Sequence, residues 1–207
     1  MPEKLLFDDT IMLGDLGDED IYPKDISLMF QWMKGLELNK NPTILDIGAN
    51  VGLFSLSYAS MFRGATIHSF EPVNFIYNYL NQNLEINPNL SSNIHTYNFG
   101  FSNCVEQKQL SIPVAKQHDR YKKKLDIRLF SVLGQGDEKF EAQFMPVDQW
   151  IDEFQISAVD FIKIDVEGYE YLVLEGSTKT LLSLKPIVMF ELNQMTLSLS
   201  NRTVDDT

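Results

Sequence analysis

Apolar positions recur along this chain with two alternating periods, and that alternation is the pattern of an α/β unit. Ile26, Met29, Phe30 and Met33 stand at i, i+3, i+4 and i+7, one face of a helix over 23–34 that Gly35 stops. Asn41-Pro42 then turns the chain into Thr43–Ile47, a strand with few polar positions, as expected where both faces are covered. A helix follows over 51–62, closed by Gly64, and a second strand over 65–70 that ends at Glu71-Pro72. A helix over 73–86 turns Ile76, Tyr79, Leu80 and Leu84 toward the sheet, Asn87-Pro88-Asn89 stops it, and a third strand occupies 94–101.

The rhythm breaks over 103–147, where 107–112 and 139–145 alternate like the arms of a β-hairpin around a turn at Gly134-Gln135-Gly136-Asp137. It resumes with a short helix from Asp148, a strand over 158–165, a helix over 171–184 interrupted at Gly176, and a strand over 186–193. The expected fold is therefore α/β: a mostly parallel twisted sheet with helices on both faces and a β-hairpin insertion. Residues 1–42 form an N-terminal arm and helix, and 43–207 the α/β domain, together one globular unit. The acids of 1–22 read as a solvated edge.

The chemistry is concentrated where strands end. In Asp46-Ile47-Gly48-Ala49-Asn50-Val51-Gly52 a strand feeds a helix through a tight turn, which aims backbone N–H groups and the positive helix end at whatever sits above. Gly48 opens a backbone conformation closed to other residues, Gly52 allows a close approach, and Asp46 is placed to accept hydrogen bonds. Glu71 follows Gly48 by 23 residues, close to the separation at which nucleotide-binding α/β folds set an acid on ribose hydroxyls. Asn98, at the end of the third strand, suits either an adenine or ribose contact or a turn-stabilising role. At the fourth strand's end, Lys163, Asp165 and Glu167 fall on one face if the strand stays regular. Asp165 can also serve as a helix cap. Several carboxylates around one crevice repel each other, so something cationic belongs among them.

Composition narrows the partners. A net charge of −12 opposes nucleic acid and anionic membranes. The lysines and arginines of 116–128 form a basic loop, read either as solvated or as a lid that attracts an acidic substrate. One cysteine, Cys104, excludes an internal disulfide and a cysteine-based zinc site; it is expected to be packed or half-exposed. No metal is expected; Asp165, Glu167 and Glu191, with no histidine beside them, would offer magnesium oxygen ligands alone. The absence of a long apolar run or signal-peptide pattern makes a cytoplasmic protein the simplest reading.

The stretches ILDIGANVGLFSLSYA (44–59), HSFEPV (68–73), FIKIDVEGYEYLVLEG (161–176) and IVMFELN (187–193) resemble the FkbM-type S-adenosylmethionine-dependent methyltransferases. DIGANVG alone marks the wider methyltransferase class; its combination with FEP and KIDVEG in this order is specific to the family. The resemblance implies a Rossmann-like methyltransferase fold and bound S-adenosylmethionine. It implies that Asp46, Gly48, Ala49, Asn50 and Gly52 line the methionine and ribose side and that Glu71 holds the ribose hydroxyls. Asp165 and Glu167 would lie beside the sulfonium and the acceptor, a sugar or other small-molecule hydroxyl or carboxyl. A hydroxyl acceptor needs a general base, for which Asp165 or Glu167 is expected, with Lys163 or His68 as positioning groups.

The class continues beyond its fifth strand with a helix and a two-stranded hairpin. Only 14 residues follow Asn193 here, so the C-terminal strands are expected to be missing or short. Two other readings stand beside the enzyme: a non-catalytic or truncated cofactor-binding module, and a nicotinamide-dependent oxidoreductase. The second conflicts with a turn that is Gly-x-x-x-Gly and not Gly-x-Gly-x-x-Gly.

Overall fold

A computed structural model describes residues 31–111 and 139–191 of the chain. Among these residues, five strands make one parallel sheet: β1 (Thr43–Ile47), β2 (Thr66–Phe70), β3 (Ile94–Tyr97), β7 (Phe161–Ile164) and β8 (Ile187–Phe190). Their spatial order is β3-β2-β1-β7-β8. The chain starts at the middle, winds outward through β2 and β3, then returns to the other side of β1. That reversal leaves a crevice outside the carboxyl ends of β1 and β7, the place where open α/β sheets bind ligands.

Strand alternation divides the core between two faces. Ile44, Ile67 and Phe161 pack with α1 (Leu53–Met61) and α2 (Asn74–Glu85) through Leu56, Tyr58 and Leu80. Leu45, Ile47, Phe70, Ile162 and Ile164 pack on the opposite face with Trp150 and Ile151 of α4 (Val147–Glu153) and Val173 of α5 (Glu170–Glu175). Asp148 ties that second layer together. Its carboxylate accepts from the backbone N–H groups of Lys179 and Thr180 and from the Thr180 hydroxyl, capping α6 (Thr178–Leu184) from a neighbouring helix.

The elements match the periodic reading closely, including the interruption of the last helix at Gly176 and the helical 31–34 ending at Gly35. Tyr79, expected to face the sheet, is exposed instead, and Asn83 is buried on that face with Ile76, Leu80 and Leu84. Two further differences stand out. Pro88 does more than stop a helix: it opens the short α3 (Pro88–Ser91) as its first residue, where a missing N–H costs nothing. The expected third strand divides. After β3 the chain bends at Asn98, and β4 (Gly100–Phe101) joins a second sheet, β4-β6-β5, with β5 (Glu106–Ser111) antiparallel to β6 (Lys139–Met145). That antiparallel pair is the expected hairpin insertion.

The acidic arm of 1–22, the helix over 23–34 up to residue 30, the basic loop, the turn at 134–137 and the C-terminal tail lie outside the described residues. Cys104 is exposed, not packed. Among the described residues no helix is long and apolar enough to cross a membrane.

Candidate functional site

Asp46 and Lys163 face each other across the β1–β7 pair as register partners, on the face that α1 covers. Both are almost wholly buried. The Lys163 ammonium lies 3.1 Å from Asp165 Oδ2 and 3.5 Å from Asp46 Oδ1, and it donates to the Gly48 carbonyl at 3.3 Å. The Phe54 ring lies beneath it, 4.5 Å away. Burial works against the charge on Lys163, but Asp165 and Asp46 outweigh it and hold its pKa above the ordinary value.

One ammonium does not compensate the buried Asp46 and the half-buried Asp165 equally. Burial would raise Asp165, yet the nearer Lys163 and a hydrogen bond from Glu191 hold it below the usual range. Asp46 goes the other way, pushed up by burial despite Lys163 and a 2.6 Å hydrogen bond from the Ser55 hydroxyl. Ser55 in turn shares a hydrogen bond with Ser69 of β2. Asp165 is thus the anion that Lys163 secures, and it is the one that reaches the open edge.

The loop between β1 and α1 closes against the end of β7. Gly48, Asn50 and Gly52 all have positive φ (77°, 50° and 87°). A Cβ on Gly48 would sit 1.9 Å from the Asp165 carbonyl oxygen, so only glycine lets the two strand ends meet. The backbone N–H groups of Gly48 and Ala49 both donate to the Phe70 carbonyl. Glu71 completes the loop: its carboxylate oxygens accept from the N–H of Asn50 (3.1 Å) and of Val73 (2.9 Å). Burial raises its pKa to about 7 even against those two bonds. The exposed Asn98 donates its side-chain amide to the carbonyls of Glu71 and Pro72 and so holds the turn on which Glu71 stands.

On the other side of the crevice, one carboxylate oxygen each from Asp165, Glu167 and Glu191 lies within 4.8 Å of the others, a spacing that a single cation can bridge. Glu191 follows β8, and its N–H bonds to the Ile164 carbonyl, which sets it beside Asp165. Burial, and then the Asp165 charge, push its pKa to about 7. Glu167 reaches this group by another route than strand alternation. β7 ends at Ile164, and Glu167 stands in a left-handed turn (φ 52°) followed by Gly168 (φ 100°).

The structure therefore brings together Asp46, Gly48, Lys163 and Asp165, sets Glu71 against Asn50, and groups Glu167 with Asp165 and Glu191. It leaves His68 apart. That ring lies on the opposite face of the sheet, stacked on His95 and edge-on to Trp150, with a pKa lowered to about 4 by burial and by His95. Sequence reasoning missed Ser55 and Ser69, which orient Asp46, and Phe54 under Lys163. The polar residues inside an otherwise apolar helix-and-strand pair were the available signal.

The arrangement is a negatively charged, partly desolvated crevice at the switch point of the sheet. It can hold a cationic ligand and accept hydrogen bonds from hydroxyls. The model of the methyltransferase FkbM domain matches residues 46–200, which include these β1, β2 and β7 residues. Among curated relatives, the methyltransferase sdnD of Sordaria araneosa is 29% identical over 164 residues, covering 67% of this chain and 61% of the relative. The AMB antimetabolite synthetase AmbE of Pseudomonas aeruginosa is 26% identical over 187 residues, 76% of this chain but 8% of that much longer protein. A solved structure, the methyltransferase FkbM of Methylobacillus flagellatus, superposes with a TM-score of 0.52 at 19% identity, covering 75% of this chain and 34% of the other; it supports the fold. With three quarters of its length matched by that family, on the same motifs that build the crevice, the chain belongs to the FkbM methyltransferase domain family.

Proposed function

We propose that this protein is an S-adenosylmethionine-dependent methyltransferase acting on a hydroxyl, or a carboxyl, of a sugar or other small molecule. The observation that carries the reading is the charge balance of the crevice. Asp46, Glu71, Asp165, Glu167 and Glu191 gather there with the Lys163 ammonium, and burial lifts Asp46, Glu71 and Glu191 above their ordinary pKa values. A cation placed among them relieves that cost. S-adenosylmethionine, when bound, supplies a methyl group on a cationic sulfur.

The residues divide the work. Glu71 is stationed at the end of β2 to accept from vicinal hydroxyls. Asp46, Gly48, Ala49, Asn50 and Gly52 form the floor at the β1 loop, with Asn98 supporting the turn that carries Glu71. Lys163 holds the Asp165 carboxylate in place at the open edge, where Asp165, with Glu167 beside it, is the group assigned to take the proton of an acceptor hydroxyl. A carboxyl acceptor needs no base, and the same acids then orient it. In-line transfer depends above all on alignment, the task this reading assigns to the strand ends that carry these residues. A small-molecule acceptor in a cytoplasmic setting fits the net charge of −12, which disfavours nucleic acid and anionic lipid surfaces.

The test is isothermal titration with S-adenosylmethionine, S-adenosylhomocysteine and NAD in parallel. Micromolar binding of the two sulfur compounds and none of NAD is expected; NAD binding alone would overturn the reading. In a panel of hydroxyl and carboxyl acceptors, Asp165→Asn is expected to lose turnover while still binding the cofactor.

A further inference from the structure

The left-handed turn that carries Glu167 is held by one buried side chain. Glu170, in the first turn of α5, is 3% exposed. One of its carboxylate oxygens accepts from the N–H of Val166 and of Gly168, both at 3.1 Å, and the other accepts again from Gly168 at 3.0 Å. The loop so collared contains Glu167 at φ 52° and Gly168 at φ 100°. A non-glycine residue in that conformation is costly and persists only where its surroundings impose it. The loop begins at Asp165, and its Glu167 carboxylate ends beside those of Asp165 and Glu191. Two like charges so close would move Glu167 away if the backbone were free.

We infer that Glu170 is a positioning residue: its carboxylate fixes the Val166–Gly168 backbone so that Glu167 is held in the crevice, against the repulsion of its neighbours. This rests on the methyltransferase reading above, in which Glu167 lies beside the bound sulfonium. A plain helix cap at α5 would stabilise the chain without placing Glu167; its own charge, which also reaches Asp165 and Glu191, would act in the same way whether or not Glu167 carries a carboxylate. The two roles therefore separate in a measurement that compares a cationic ligand with its neutral counterpart, with and without the Glu167 carboxylate.

That measurement is the ratio of affinities for S-adenosylmethionine and S-adenosylhomocysteine, taken by isothermal titration, which needs no acceptor. Glu167→Gln is expected to lower the preference for the cationic ligand by about fivefold, the scale of one screened contact between charges. Glu170→Gln is expected to lower it to the same extent with S-adenosylhomocysteine affinity retained, and the double variant to lower it no further. Glu170→Asp keeps the charge but draws it back from the loop, and it too is expected to lower the ratio.

A wild-type ratio in both Glu170 variants, or a double variant whose loss is the product of the single losses, overturns the inference. If Glu167→Gln keeps the wild-type ratio, Glu167 has no part at the sulfonium and the inference falls, while the methyltransferase reading survives. If the wild-type chain binds neither sulfur compound, the proposed function itself is wrong and the inference fails with it.

Discussion

Lys163 carries more of the site than any other side chain, because it is a buried cation answering two carboxylates. Replacing it by Met removes the charge, keeps the length of the stem, and leaves Asp46 and Asp165 facing each other. Breaking a buried pair from one side costs about 3–5 kcal/mol, so Lys163→Met is expected to lower stability by that amount in denaturant unfolding. Glu71 is the converse, an acid whose burial outweighs its two hydrogen bonds. Its folded-state pKa of about 7 stands above the ordinary 4.5, so between those values the folded chain holds a proton that the unfolded chain has lost. The contribution of Glu71 to stability is therefore fully present below about pH 4.5 and is lost as pH rises through about 7, by roughly 3 kcal/mol in all. Melting curves of the ligand-free protein at pH 5 and pH 8 check this. The wild type is expected to lose ground to Glu71→Gln as pH rises, whatever constant offset the substitution adds.

At the scale of elements, the strands and helices were legible because each announces itself twice, once by period and once by the residue that ends it. β1, β2 and their helices have both signals. The third strand had only the first. Its apolar run continues through Phe99 and Phe101, and nothing local shows that Gly100 and Phe101 pair with β6, more than forty residues further on. The same distinction holds at the site. Asp46, Glu71 and Asp165 were legible as acids at strand ends, but the sharing of Lys163 between Asp46 and Asp165, and the collar that Glu170 puts on the 166–168 loop, exist only once β1 and β7 are paired.

The β1–α1 loop offers a graded test of that pairing. An added Cβ at Gly48 meets a backbone carbonyl of the neighbouring strand end, whereas at Gly52 it meets the end of the Leu80 side chain, which can move. Both positions have positive φ. Gly48→Ala is expected to cost roughly 3 kcal/mol or more and Gly52→Ala about 1–2 kcal/mol, in chemical denaturation at neutral pH. Equal losses would mean that conformational strain alone governs the loop and that its contact with β7 is loose.

Across the whole molecule, the second sheet is fastened to the loops that form the crevice. Leu110, Ala142 and Phe144 pack on Val51, beside the β1 loop, and on Val73 and Ile76, just after Glu71. The same stretch of the hairpin reaches the loop after β7: Lys108, opposite Ala142, pairs with Glu106 at 3.1 Å and touches the Tyr169 hydroxyl and ring, two residues past Glu167, and Phe144, opposite Glu106, lies 5.9 Å from that ring. The hairpin thus bridges the loops after β1, β2 and β7, and its packing should be felt in ligand affinity as well as in stability. Phe144→Ala and Leu84→Ala each empty a buried site, and each is expected to cost several kcal/mol, about 3–5 for the phenylalanine and 2–5 for the leucine. Leu84 lies near the far end of α2, in the other core cluster. A ligand at 100 times its Kd adds about 2.7 kcal/mol of stability, so melting with and without S-adenosylmethionine reads affinity directly. At one fixed ligand concentration, Leu84→Ala is expected to keep the wild-type increment in Tm and Phe144→Ala to lose most of it. Should both keep it, the hairpin is a passive layer and the crevice is built by the five-stranded sheet alone.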